Sequence, residues 1–227
     1  MIKAAETVVL VHGLWMHGLV MRLLGARLER CGFHTVCFSY PSMRSSLSQN
    51  ASELARFAAK IEAPRIHFIG HSLGGLLILQ MLAEFPEIRP GRIILAGSPY
   101  NTSCVAEKLS RHRAGRYILG RSMRQWLEQE PPPGAKDYEI GVIAGAKSIG
   151  VGRLISRLAT PNDGVVTVGE TRIPSTAEQI VLDVTHAQML LSAELARQAC
   201  SFLRWGRFTN DRKTAGYRGL TERQAGR

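Results

Sequence analysis

The run Ile66-His67-Phe68-Ile69-Gly70-His71-Ser72-Leu73-Gly74-Gly75-Leu76-Leu77-Ile78-Leu79 changes character at one residue, Ser72. Up to Ile69, β-branched and aromatic residues predict a strand over 65–69. Beyond Ser72, residues 73–85 are apolar almost all round, which predicts a central, buried helix. A serine on the turn between strand and helix is lifted clear of both, where its hydroxyl meets a reactant unobstructed. So sharp a turn needs small residues two positions before and two after the serine. Gly70 and Gly74 stand there, and Gly75 lets the helix lie close to the sheet. The helix N-terminus also directs positive partial charge at this point. Ser72 is therefore the candidate nucleophile.

Outward from this turn the chain alternates between two periodicities. Strands are predicted over Thr7–Val11, 34–39, 65–69, Arg92–Ala96, 138–144 and 179–184, and helices over 16–30, 47–61, 73–85 and 187–203. The first helix sets Val20, Leu24, Leu28 and Cys31 on one stripe, and the last aligns Leu191, Leu195, Ala199 and Phe202. Regular alternation predicts an α/β fold: a mainly parallel sheet of about six strands with helices on both faces. One interruption, about 100–137, holds charged helical stretches and Pro131-Pro132-Pro133-Gly134. The expected organisation is a single domain over 1–205, with 100–137 as a cap or lid insertion and 206–227 as a flexible basic tail.

Gly-His-Ser-Leu-Gly-Gly at 70–75, with His12-Gly13-Leu14-Trp15 after the first strand, resembles the small bacterial esterases and lipases of the α/β-hydrolase superfamily. The resemblance runs from Thr7 to Leu203. It implies an α/β-hydrolase fold and a serine hydrolase cleaving carboxylic esters through a Ser-Asp-His triad and an acyl-enzyme intermediate. It also implies an oxyanion hole made by the backbone N–H groups of Leu14 and Leu73, and the chain order serine, acid, histidine. Of seven histidines only His112 and His186 follow Ser72. His112 lies between Arg111 and Arg113, where neighbouring cations disfavour the imidazolium. His186, between the last predicted strand and the last helix, is the expected base. Asp163, in Thr160-Pro161-Asn162-Asp163-Gly164-Val165-Val166, is the expected acid, since related hydrolases carry a similar Asp-Gly-x-Val run. Asp183 is its main rival but lies close to His186 on the last strand; Glu170 and Asp137 are weaker. Trp15 and His17 are candidates for lining the acyl pocket, with packing as the plainer alternative.

No metal or organic cofactor is expected. The same machinery serves thioesterases, amidases and acyltransferases, and a binding protein on a hydrolase fold is the non-enzymatic alternative. Serine rather than aspartate at position 72 argues against a dehalogenase.

The 227 residues, 45% hydrophobic and 21% charged, are those of an ordinary globular domain with one substantial core. No apolar run reaches the roughly 20 residues of a membrane span. The first strand begins at Thr7, which leaves no room for a cleaved leader, so a cytoplasmic location is expected. The four cysteines match no metal or disulfide spacing, so buried reduced thiols are expected. Of the net charge of +11, nine units fall in two stretches, 107–128 and 204–227. No nucleic-acid-binding motif accompanies them, so no specific nucleic-acid partner is expected. A weak hold on an anionic lipid surface is the sharper alternative to solvated charge.

Overall fold

A computed structural model describes residues 5–101, 103–132, 137–149, 158–174 and 178–209. Six strands, β1 (Thr7–Val11), β2 (His34–Phe38), β3 (Ile66–His71), β4 (Arg92–Ala96), β5 (Glu139–Gly145) and β6 (Glu178–Leu182), form one sheet in the order β2-β1-β3-β4-β5-β6. Every pairing is parallel, as the alternating pattern predicts. Val11 stands opposite Gly70, and His71 opposite Ala96. This register brings the C-terminal ends of β1, β3 and β4 together, the edge at which open α/β sheets bind ligands.

Helices cover both faces. α2 (Leu47–Ala58) and α3 (Leu73–Glu84) lie on one side, over a core that includes Val9, Phe68 and Ile93. α1 (Arg22–Arg30) and α6 (Ala193–Trp205) lie on the other, over Val8, Leu10 and Ile94. β1 alternates its side chains between these two cores and is buried throughout, which explains its unbroken apolar run. α3 is buried from Leu73 to Leu82, so it carries no polar stripe.

The insertion contains α4 (Cys104–Ser110) and α5 (Arg113–Leu127). α5 is broken at Gly120, whose φ of +65° lies in the left-handed region that glycine tolerates. Beyond the break, Met123 and Trp126 join the main core, and Ser122 accepts a hydrogen bond from Asn50 Nδ2 of α2 (2.9 Å). The second half of α5 is thus built into the domain body. The proposed basic tail lies outside the described residues from 210 onward.

Three sequence expectations are corrected. The predicted 16–30 helix opens with a 3₁₀ turn, Gly18–Met21, which takes Val20 off the buried stripe and into solvent. A second 3₁₀ turn, Gln188–Leu191, precedes α6, because Ser192 caps that helix through its Oγ and Leu195 N (3.0 Å); Leu191 is consequently exposed. Cys31 and Cys200 form a disulfide between the end of α1 and α6, where reduced thiols were expected. Their separation of 169 residues hides from the sequence that these helices pack side by side. Cys37 and Cys104 are free thiols. Among the described residues no helix is long and apolar enough to cross a membrane.

Candidate active site

Ser72 has φ +54° and ψ −124°, one of two non-glycine residues described with positive φ. Such a conformation costs on the order of 1–3 kcal/mol and persists only where the surroundings enforce it. Here the enforcement is visible. Ser72 N donates to Ala96 O (2.9 Å) on β4, and Gly75 N returns to Ser72 O (3.0 Å). A Cβ at Gly70 would overlap the backbone of Gly75, and one at Gly74 would overlap the carbonyls of Val11 and His12. The glycine spacing is therefore a packing requirement of the turn against its neighbours.

The loop after β1 closes over the turn. A Cβ at Gly13 would stand 3.1 Å from both Ser72 Cβ and His71 Nδ1, a crowded contact that the glycine relieves. His12 holds the loop from beneath. Its Nδ1 donates to Gly13 O (2.8 Å), its Nε2 accepts from Tyr40 N (3.2 Å), and its ring stacks on Tyr40. Burial lowers its pKa, in keeping with a neutral ring that must both donate and accept. Leu14 and Leu73 line the same pocket as Ser72, and neither backbone N–H donates to another described residue. Leu73 opens α3, where first-turn N–H groups lack intrahelical acceptors.

Asp163 is almost wholly buried. Its Oδ1 accepts from Val165 N (2.9 Å) and Val166 N (2.7 Å), which fixes the carboxylate within its own turn. Its Oδ2 accepts from His186 Nδ1 (2.7 Å), and His186 N donates to Asp163 O (2.9 Å). Two bonds thus lock the loop of one residue to that of the other. His186 lines the pocket with Ser72, so the structure brings together the three residues that the sequence singled out. Asp183 is exposed at the end of β6, and His112 is an exposed backbone cap of α5.

Two neighbours of the site hold places that the sequence did not assign them. His71, beside the serine, is buried; its Nε2 donates to His186 O (3.0 Å), and the two rings lie 4.7 Å apart. Only its place in the turn motif hinted at this. Burial first, and the neighbouring His186 second, push its pKa down to about 3. Glu170 is a buried bracket between α4 and the loop that follows Asp163. Its Oε1 accepts from Cys104 N (2.6 Å) at the start of α4, and its Oε2 from Thr167 N (2.7 Å). No local pattern marks that role.

The pocket encloses about 190 Å³. Apart from His71, Ser72 and His186 its walls are mostly apolar, with Leu14 and Met16 from the β1 loop, Leu109 from α4, Leu119 and Met123 from α5, and Val166 from the loop that carries Asp163. Trp15 is also on the wall. His17 is not: it caps the Gly18–Met21 turn through its ring and Leu19 N, so its candidacy as a pocket residue is corrected. Among the described residues no cluster of three or more His, Cys, Asp or Glu could hold a metal ion.

Residues 8–223 match the profile described as "Alpha/beta hydrolase family". No curated protein matches the sequence. Among solved structures the chain is similar to the metagenomic carboxyl esterase MGS0156, at 19% identity and a TM-score of 0.64 over 81% of this chain; it spans 65% of that esterase's length. It is also similar to BorB, the type II thioesterase of the borrelidin biosynthetic cluster, at 15% identity and TM-score 0.63, over 88% of this chain and 92% of BorB. An esterase from Exiguobacterium antarcticum matches at 14% identity and TM-score 0.62, over 89% of this chain and 93% of its own.

Proposed function

Because the chain belongs to the alpha/beta hydrolase family, we propose that it is a serine hydrolase cleaving carboxylic esters of apolar acyl groups. The observation that carries this reading is the Asp163–His186 pair, joined at 2.7 Å and opening onto the pocket that holds the strained Ser72. Asp163 fixes the proton on His186 Nδ1, which leaves Nε2 as a base. Nε2 takes the Ser72 hydroxyl proton as Oγ attacks the acyl carbon. The N–H groups of Leu14 and Leu73 receive the oxyanion. The alkoxide leaves with the proton from His186, and water repeats the sequence on the acyl-enzyme.

Trp15 and the apolar walls hold the acyl chain, and no cofactor takes part. A thioester is the second reading, because a sulfur leaving group needs the same charge handling. The similarity to BorB gives it a place beside the ester reading. A cytoplasmic location sits poorly with the Cys31–Cys200 disulfide, which persists in oxidising compartments.

The test is a chain-length series of p-nitrophenyl esters beside the matching acyl thioesters, with wild type and Ser72→Ala. Ester hydrolysis is expected in wild type alone. Activity that survives Ser72→Ala refutes the mechanism, and a clear preference for the thioesters moves the assignment to the second reading.

A further inference from the structure

From the pocket wall at Trp15, apolar side chains that face water continue along the 3₁₀ turn and the start of α1. Trp15 is 59% exposed although it lines the pocket, and its indole Nε1 donates to Ile118 O (2.8 Å), joining the β1 loop to α5. Leu19 is 62% exposed on the 3₁₀ turn that follows, with Val20 beside it and Leu23 at the start of α1. Arg27, one helical turn beyond Leu23, donates through Nη1 to Leu191 O (2.6 Å). That bond ties α1 to the 188–191 turn, where Leu191 is 60% exposed a few residues after His186. The exposed side chains therefore follow one another from the cap to the loop of the base.

The helices of the insertion are predominantly basic, although Glu107 on α4 and Glu194, three residues after Leu191, are acidic. Residues 104–127 carry six Lys and Arg against Glu107 alone. Arg113 and Arg116 are exposed on α5, and Tyr117, one turn from Arg113, is 83% exposed. Arg22 adds an exposed cation beside Leu23.

We propose that this exposed strip docks the protein on an anionic lipid surface, with the pocket mouth against the interface. Aliphatic side chains gain by entering the headgroup–acyl boundary, and surrounding arginines gain from anionic headgroups. A nucleic acid would satisfy the arginines and leave the leucines in water. A second copy in a two-fold contact would set the same cations against themselves. Docking rests on the strip; that an acyl ester then enters from the lipid side rests on the reading above.

The test is vesicle flotation of the full chain, using phosphatidylcholine vesicles with and without phosphatidylglycerol, at low and high salt. Wild type and Ser72→Ala are expected to bind equally, only to the anionic vesicles, and less at high salt. A Leu19→Ser, Leu23→Ser, Leu191→Ser triple variant and an Arg113→Glu, Arg116→Glu double variant should each weaken binding at least about tenfold. Both should hydrolyse a water-soluble short-chain ester at the wild-type rate. Equal binding to neutral vesicles, or none, overturns the proposal. So does binding retained in both variants, which would belong to the basic C-terminal stretch, and so does a dimer in sedimentation that the triple variant dissolves. Loss of ester hydrolysis in Ser72→Ala with binding intact separates the two readings.

Discussion

Asp163→Asn puts the acid–base pair to its sharpest trial, because the structure dictates which way the new amide must face. Oδ1 of Asp163 accepts two backbone N–H bonds, from Val165 and Val166, and Oδ2 accepts one from His186 Nδ1. An asparagine has one oxygen for these two places. If the oxygen stays on the backbone donors, the NH₂ group faces His186. If it turns toward His186, two buried N–H groups meet a donor, at a cost of about 1–3 kcal/mol each. The first arrangement wins. The NH₂ then requires a bare Nδ1, so the His186 proton moves to Nε2, the nitrogen that has to receive the Ser72 proton. A wrong tautomer of this kind lowers kcat by about 10⁴-fold, equivalent to about 5.5 kcal/mol at 1.36 kcal/mol per decade. The assay is kcat/KM on a p-nitrophenyl ester, with urea unfolding to show that the variant remains folded. Asp183→Asn, on an exposed side chain, should remain within about twofold. An Asp163→Asn protein that keeps a tenth of its activity, or an Asp183→Asn protein that falls with it, refutes the reasoning.

Reduction of Cys31–Cys200 should lower stability by about 2–5 kcal/mol, read from urea unfolding with and without a phosphine reductant; Cys37→Ser and Cys104→Ser should leave the oxidised protein unchanged. Acid should destabilise the fold through His71. Its folded pKa of about 3 lies below the unfolded value near 6.5, so the stability present above pH 6.5 is lost as pH falls toward 3, at about 1.4 kcal/mol per pH unit. A His71→Gln protein should show a slope shallower by that amount in urea unfolding across this range, and an unchanged slope counts against a neutral buried His71. Glu170→Ala strands Cys104 N and Thr167 N, so it should cost about 1–3 kcal/mol for each and raise KM more than it lowers kcat as α4 loosens over the pocket. Equal stability and KM would remove Glu170 from that role.

Much of this molecule was legible because its constraints are local. The change at Ser72 from strand period to unbroken apolar helix marks a turn, and the glycines mark its close approaches, Gly70 to the first turn of α3 and Gly74 to the end of β1. Asp163 and His186 each sit in a loop beside a recognisable strand or turn. What stayed hidden depends on elements meeting across the fold. The Cys31–Cys200 bond needs α1 beside α6, and Glu170 needs α4 brought onto the loop that follows Asp163. Val20 and Leu191 misled for another reason. An apolar residue continues a helical stripe on paper even where a 3₁₀ turn has rotated it toward solvent.

The bond between Cys31 and Cys200 makes a closed ring of everything between them, including every strand but β1 and every residue assigned to the chemistry except those of the β1 loop. One cut inside a ring opens it without releasing a fragment. A protease that nicks the turn at Arg111, between α4 and α5, would leave two pieces of one molecule, visible as two bands only after reduction. Their reassembly after unfolding would stay first order at any dilution, because each piece carries its partner with it.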